Sequence, residues 1–336
     1  MTTIERPAQD DFLELAAPYR RELLAHCYRM LGSVHDAEDV LQETLVRAWR
    51  AYDRFEGRSS LRTWLHRIAT TTCLTALEVR GRRPMPAGLH GTGSHPDDPL
   101  RDNPEIAWLE PAPDDAVCPD AGADPAAVVA ARAGVRLAFV AALQHLPARQ
   151  RAVLLLREVL QWRAAEVAEL LDTSVAAVNS ALQRARAQLQ EVAPTQDDAP
   201  APLTAAQRDL LDRYVAAFEV KDVHAIVSLL AADVAWEMPP FESWYRGRAH
   251  VAQHLELRCP GGPDDFRLLP IAANAQPGFA LYLRGDDRAF HPFALQVLTF
   301  AGRTVTDVAT FLDLTLFGVF GLPESLPADH PVASQV

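Results

Sequence analysis

The side chains best equipped for recognition chemistry lie on one stretch near the middle of the chain. Ala164–Leu171 is patterned as a short helix, Asp172-Thr173 as a turn, and Ser174–Leu189 as a second helix capped by Ser174 or Thr173. Val167, Ala168, Leu171, Val178 and Leu182 supply an apolar seam, and Ala168 is small enough for a close helix crossing. The other face of the second helix presents Asn179, Gln183, Arg184 and Arg186, with no acid from Ser174 to Leu189. Amide and guanidinium forks can reach base edges while flanking arginines meet phosphates, as a helix in the major groove requires. The same spacing also suits an ordinary helical hairpin with a solvated arginine face.

The helices that carry these groups belong to a 336-residue chain, long enough for two or three domains. A formal charge of −12 argues against nucleic-acid binding only until its distribution is examined. From Met85 to Ala127 the acids are Asp97, Asp98, Asp102, Glu105, Glu110, Asp114, Asp115, Asp120 and Asp124, against the single base Arg101. That segment holds most of the excess, leaving arginine-rich helices on either side. Lys221 is the only lysine, so the positive charge is almost all arginine, which makes forked contacts with phosphate and guanine.

Cys27, Cys73, Cys118 and Cys259 are far apart and form no C-x-x-C pair, arguing against a disulfide framework or zinc ribbon. His26-Cys27 and His66 with Cys73 could be imagined as metal ligands, but cysteine in a helical core is the simpler reading. No metal or cofactor is expected. No apolar run approaches the roughly 20 residues that span a bilayer, and Met1–Asp11 is polar, so a soluble, unexported, cytoplasmic protein without membrane contact is expected.

Helical periodicity runs from Phe12 to about Leu77, uninterrupted by proline or glycine over Ala37–Tyr52 and Ser60–Arg80. Pro84–Pro125 is rich in Pro, Gly and Asp, lacks periodicity and reads as an extended linker, with one apolar island at Ile106-Ala107-Trp108-Leu109. Helical patterning returns from Pro125 to Val192 and breaks at Pro194–Pro202. Beyond it come helices at Ala205–Glu219 and Val223–Leu230, then strand-like runs at Val234–Met238, Phe279–Leu283, Phe293–Phe300 and Thr304–Phe311.

Three segments, in this order, resemble the extracytoplasmic-function group of the sigma-70 family. The amphipathic run Asp36–Trp49, with Ala37, Val40, Leu41, Thr44, Leu45 and Ala48 on one stripe, is similar to the region 2 helix that docks on the coiled coil of the polymerase β′ subunit. The resemblance implies core-polymerase contacts by Asp36, Glu38, Asp39, Leu41, Gln42, Glu43, Arg47 and Trp49. Phe55–Ala69 resembles the loop and helix that melt and capture the −10 element, implicating Phe55, Arg58, Ser59, Arg62, Trp64 and Arg67. Glycine and serine let such a loop approach a flipped base, and the arginines offer phosphate partners. Trp64 also falls at helical spacing with Leu61, Leu65 and Ile68, as a core residue would. Thr71 and Thr75 stand where the family commonly has Asn and Asp, which weakens any inference of −10 specificity.

Leu146–Arg157 matches the opening of region 4, whose recognition helix would read the −35 element through Ser174, Val175, Ala176, Asn179, Ser180, Gln183, Arg184 and Arg186. Asn179 and Ala181 replace a common Lys and Arg, so the −35 sequence is not legible. Ser174–Leu182 instead resembles a subgroup, the sigma-G type, that carries an extra C-terminal domain. In this family the linker threads toward the polymerase active-site cleft and RNA path, which would make Trp108-Leu109-Glu110-Pro111 an anchor; a disordered spacer is the alternative.

Leu203–Phe320 resembles the SnoaL and nuclear-transport-factor-2-like cone. A pocket in it would be lined or capped by Trp236, Met238, Phe241, Trp244 and Tyr245, with His250, His254 and Asp313 as polar groups. Asp313 is the candidate general base, but one unpartnered carboxylate argues for a regulatory or protein-contact role ahead of ligand sensing or catalysis.

The expected fold is therefore multidomain. Two all-α domains (10–84 and 128–193, the second with the helix-turn-helix) are joined by an acidic linker (85–127). An α+β cone-shaped SnoaL-like domain (203–322) and a tail (323–336) follow. The expected function is that of a non-enzymatic RNA polymerase sigma factor with a regulatory C-terminal domain. Its partners would be the β and β′ subunits of core polymerase, promoter DNA, and a small ligand or regulatory protein at the C-terminal domain. A free-standing helix-turn-helix regulator, and an isomerase or hydrolase in the C-terminal domain, are the alternatives.

Overall fold

A computed structural model describes residues 12–79, 81–89, 91, 93–118, 125–192 and 203–331. The linker acids Asp120 and Asp124 and the break at Pro194–Pro202 lie outside these residues. The chain divides into two compact units.

The first unit comprises residues up to Arg83 together with Asp115–Gln196. Its first half is α1 (Phe12–Ala16), α2 (Arg20–Leu31), α3 (Val34–Ala51) and α4 (Leu61–Val79). Gly32, at φ 71°, ends α2, and Ser33 caps α3 by accepting from the Asp36 N–H at 3.0 Å. The stripe expected on α3 is the buried one: Ala37, Val40, Leu41, Thr44 and Ala48 face inward. The second half follows α5 (Asp114–Val117) and consists of α6 (Pro125–Ala133), α7 (Leu137–Gln144), α8 (Ala148–Leu154), α9 (Ala164–Leu170) and α10 (Val175–Val192).

These two halves, read from sequence as separate domains, pack as one body. Two buried arginines fasten them. Arg29 of α2 donates to the carbonyls of Gly134 (2.9 Å) and Ala131 (3.2 Å). A Cβ at Gly134 would come within 3.3 Å of that guanidinium, so glycine keeps the approach open. Arg151 of α8 donates to the carbonyls of Met30 and Leu146 and to Gln144 Oε1. Burial pushes both guanidinium groups down to about 10, still far above neutrality, so they stay charged and need these carbonyls.

The second unit comprises Pro84–Asp114 and Asp197–Val336. Thr204 and Gln207 form a capping box that starts α11 (Ala205–Glu219), and Asp222 caps α12 (Val223–Ser228). Then come β1 (Leu230–Glu237), β2 (Trp244–Arg246), α13 (Arg248–Arg258), β3 (Phe266–Ala273), β4 (Gln276–Arg284), β5 (Phe290–Ala301), β6 (Thr304–Phe311) and α14 (Thr315–Val319). The sheet order is β2-β1-β6-β5-β4-β3, with β1 and β6 parallel and the other pairs antiparallel. This is the expected α+β cone. Three of the four anticipated strands fall within β4, β5 and β6, and Val234–Met238 overlaps β1 up to Glu237. The pattern missed β2, which is three residues long, α13, and β3, whose Pro270 is tolerated because β3 is an edge strand.

Alternation along the strands gives the sheet two faces. Trp236, Val308 and Leu298 point into the core that α11, α12 and α13 cover. Glu237, Asp307 and Ala309 take the other face, where β1 and β6 run in register.

Part of the acidic linker departs from expectation: Pro84–Asp114 is a strap packed on this sheet, rather than an extended spacer. Asp102 bridges to Phe241 and Pro113 to Ala273. Ser94 N–H donates to Trp244 O at 2.7 Å, and the Ala112 and Asn274 backbones and the Asn274 side chain bond reciprocally at 2.9–3.0 Å. Leu100 packs against the core, and Leu109, Pro111, Ala112 and Pro113 are buried. Most of these bonds come from backbone, which is why a polar, aperiodic sequence gave no sign of them. The tail from 323 to 331 is also held, Leu326 exchanging both backbone bonds with Phe290.

Candidate nucleic-acid interface

The helix-turn-helix forms as its residues dictate. Asp172 takes the left-handed turn position at φ 48°, Thr173 N–H returns to Ala168 O at 2.9 Å, and Ser174, not Thr173, caps α10 through the Ala177 N–H. Val167, Ala168, Leu171, Val178 and Leu182 are buried. Ser174, Val175, Ala176, Asn179, Ser180, Gln183, Arg184 and Arg186 all remain exposed on the opposite face. Arg186 is tethered to Glu158 at 2.5 Å; Gln183 and Arg184 project without an acid on their helix turn.

The loop before α4 and the side of α9 enclose an open cleft of about 630 Å³. The Phe55 and Trp64 rings pack tilted at 34°, 4.8 Å between centroids, with Tyr52 behind them, and Trp64 is half-buried and also lines the cleft. Arg58, Ser59 and Arg67 line it too, an aromatic floor with a cationic rim that suits stacking and holding an unpaired nucleotide. Arg62 is drawn elsewhere, to Glu22 at 2.8 Å. Burial would raise the Glu22 carboxyl, but bonds from His66 and Arg62 hold it below its ordinary range.

Besides Glu56, which pairs with Arg58 at 2.6 Å, two carboxylates of α9 line the cleft and went unnoticed in the sequence. Arg67 is paired at 2.9 Å with Glu169 of α9, and Glu166 of the same helix also lines the space. Glu166 is bound by the Arg163 side chain and backbone, which lower its pKa. Their three-residue spacing puts both on one face of α9. In this arrangement acids stand where phosphates would approach.

On α3, Asp39, Gln42, Glu43, Arg47 and Trp49 are exposed, Glu43 paired with Arg47 at 2.6 Å and Glu38 with Arg20 at 2.7 Å. Two expected contact residues are not available. Leu41 is fully buried in the seam, and Asp36 is inside, bonded to Arg83 at 2.6 Å. A leucine on the apolar stripe cannot also face a partner.

Of the side chains expected to line a pocket in the cone, Trp236, Met238, Trp244 and Tyr245 are buried. Trp236 and Met238 are packed into the core with Phe241 against them, and Trp244 is buried beneath Arg246. A cavity between Phe218, Leu255 and Phe266 measures about 10 Å³, room for at most a single water. His250 lies edge-on to His95 of the strap. Burial lowers the His254 imidazole to about 4, keeping it neutral against Tyr245. Asp313 is exposed, and its Oδ1 accepts from the Thr315 N–H and hydroxyl at 3.0 and 2.7 Å just before α14. Two carboxyls on the strap-covered face, Glu237 buried and Asp307 half-buried, were also missed. Glu237, accepting from Ala87 N–H at 2.9 Å, is pushed up to about 7 by burial, and Asp307 rises well above its ordinary range through burial and then through Glu237.

Among the described residues no cluster of three or more His, Cys, Asp or Glu could hold a metal ion, and no helix is long and apolar enough to cross a membrane. His26 Nε2 lies 2.9 Å from the Thr70 hydroxyl instead.

Comparison with known proteins gives the family. Residues 15–83 match the Sigma-70 region 2 family and residues 136–189 the Sigma-70 region 4 family. The chain is 56% identical over 318 residues to the ECF RNA polymerase sigma factor SigG of Mycobacterium tuberculosis, covering 94% of this chain and 85% of that one. Against SigW of Bacillus subtilis the identity is 29% over 195 residues, 56% of this chain and 91% of the relative. The crystal structure of M. tuberculosis SigJ shares the fold with a TM-score of 0.61 at 24% identity, over 93% of this chain and all of the other. With both sigma modules in order and a relative this similar along nearly the whole chain, the protein belongs to the extracytoplasmic-function RNA polymerase sigma factors, which direct promoter recognition and transcription initiation.

Proposed function

We propose the residue-level division of labour as follows. Asp39, Gln42, Glu43, Arg47 and Trp49 on the outer face of α3 contact core polymerase. The Phe55–Trp64 floor with Arg58, Ser59 and Arg67 captures an unpaired base and its phosphates at the −10 element. Asn179, Gln183 and Arg184 read the −35 element, Ser174, Val175, Ala176 and Ser180 approach it, and Arg186 meets the backbone. The observation that carries this reading is the burial pattern: the α3 and α10 faces assigned to polymerase and the −35 element are exposed and the half-buried −10 residues line an open cleft, while the apolar stripes behind them are sealed. The C-terminal domain is regulatory and non-catalytic in this reading, because Asp313 is exposed and bonded to Thr315 while the expected lining residues Trp236, Met238 and Trp244 are buried away from it. The protein acts in the cytoplasm, where core polymerase is.

The test is run-off transcription with purified core polymerase. The full chain is expected to direct promoter-specific transcripts only when core is present. Duplex DNA bound tightly and specifically by the chain alone, with no change in transcription, would return the reading to a free-standing regulator.

A further inference from the structure

The −10 reading uses only one wall of the open cleft, the loop before α4 and α4 itself. The other wall comes from α9, and promoter recognition gives it no task. Arg163, at the start of α9, together with Glu166 and Glu169 completes an enclosure of about 630 Å³. That volume falls in the range, roughly 300–1,000 Å³, that holds a small organic ligand.

The side chains around this space suit a nucleotide. Its floor is the Phe55 and Trp64 rings, both half-buried, with 4.8 Å between centroids. Every nucleobase has a face that packs on such a floor. The rim carries four arginines, Arg54, Arg58, Arg67 and Arg163, against three glutamates. Arg58 on the loop and Arg163 on the α9 wall have side chains 85% and 82% exposed, paired with Glu56 at 2.6 Å and Glu166 at 2.9 Å. Exposed local pairs of this kind contribute little, so a phosphate, with more charge and the same forked geometry, can take over either guanidinium. Glu169 gives Oε1 to Arg67 at 2.9 Å and is 69% exposed, which leaves its second oxygen to accept from a sugar hydroxyl. One cleft thus offers a surface for a base, an acceptor for a sugar, and cations on both walls for a chain of phosphates.

We propose that the free chain binds a nucleoside triphosphate here, with its base on the Phe55 and Trp64 floor and its phosphates between Arg58 and Arg163. The proposal rests on the −10 reading, because it shares that floor, and adds regulation of the same site: the nucleotide and the unpaired promoter base exclude each other. The site needs both walls, so the nucleotide selects the arrangement of the first unit in which α9 faces the loop. Promoter capture then responds to the concentration of the polymerase's own substrates, which are of this chemical class.

The test titrates the full chain with ATP in a calorimeter, beside adenosine and inorganic pyrophosphate, which carry the two parts of the ligand. ATP is expected to saturate a single site and to bind roughly tenfold or more tighter than either part, since stacking and charge-assisted bonds both contribute. Arg163→Ala, at an exposed side chain, should weaken ATP about tenfold and leave capture of a single-stranded −10 oligonucleotide unchanged. Trp64→Ala should weaken both ligands, and Trp64→Phe, which keeps an aromatic face, should restore both. In competition, ATP should raise the oligonucleotide concentration needed to half-saturate the wild type, but not Arg163→Ala. ATP that binds no tighter than pyrophosphate, or that ignores Arg163→Ala, overturns the nucleotide site and leaves the −10 reading standing. Oligonucleotide capture indifferent to Trp64→Ala overturns the −10 reading, and the shared floor falls with it.

Discussion

Replacing Glu237 with Gln tests the buried carboxyl beneath the strap. The amide keeps an acceptor for the Ala87 N–H and nearly the same volume, while removing the ability to ionise. Burial raises the Glu237 carboxyl from 4.5 to about 7. A raised carboxyl means that the folded state prefers the proton, so its stabilisation is complete below about pH 4.5 and is lost as pH rises through about 7. At 1.36 kcal/mol per unit, the wild-type protein above pH 8 carries a penalty of roughly 3 kcal/mol that the glutamine variant does not. For a unit of this size that corresponds to roughly 6–12 °C in melting temperature. The assay is thermal and urea unfolding of wild type and Glu237→Gln from pH 5 to 9. The variant should be the more stable at pH 8 and the gap should close toward pH 5. A gap of constant size, or a wild type more stable at pH 8, would refute the reasoning.

Leu41→Ala should destabilise the helical unit by about 2–5 kcal/mol through a core cavity, and at low temperature leave core-polymerase affinity within error in a pull-down, because Leu41 is buried. Arg184→Ala should weaken −35 promoter binding by the holoenzyme about tenfold or more, measured by promoter competition, with assembly on core unchanged. Glu169→Gln should free Arg67 and tighten binding of a single-stranded −10 oligonucleotide by the full chain; the exposed pair itself adds at most about 1 kcal/mol to stability. Asp313→Asn should change stability by about 1 kcal/mol or less and leave transcription unaltered, as expected of an exposed residue bonded only to Thr315.

Short-range pattern carried the sequence a long way. The α3 stripe, the seam and cap of the helix-turn-helix, the Ala205–Glu219 helix and four strands follow from periods of 3.6 and 2 and from caps within four residues, so neighbours in sequence contain them. Tertiary structure alone decided which polar residues are inside. Asp36 reads as part of an acidic face until Arg83, 47 residues away, draws it in. Arg29 and Arg151 read as surface charges until carbonyls over a hundred residues distant receive them. Glu169 is one more exposed helical acid until folding sets it against Arg67. The linker gives the sharpest contrast: its composition established that it has no helix or strand period of its own. Its looped path over the sheet is held chiefly by backbone bonds, and those depend on where the partner strand lies rather than on which side chains the linker carries.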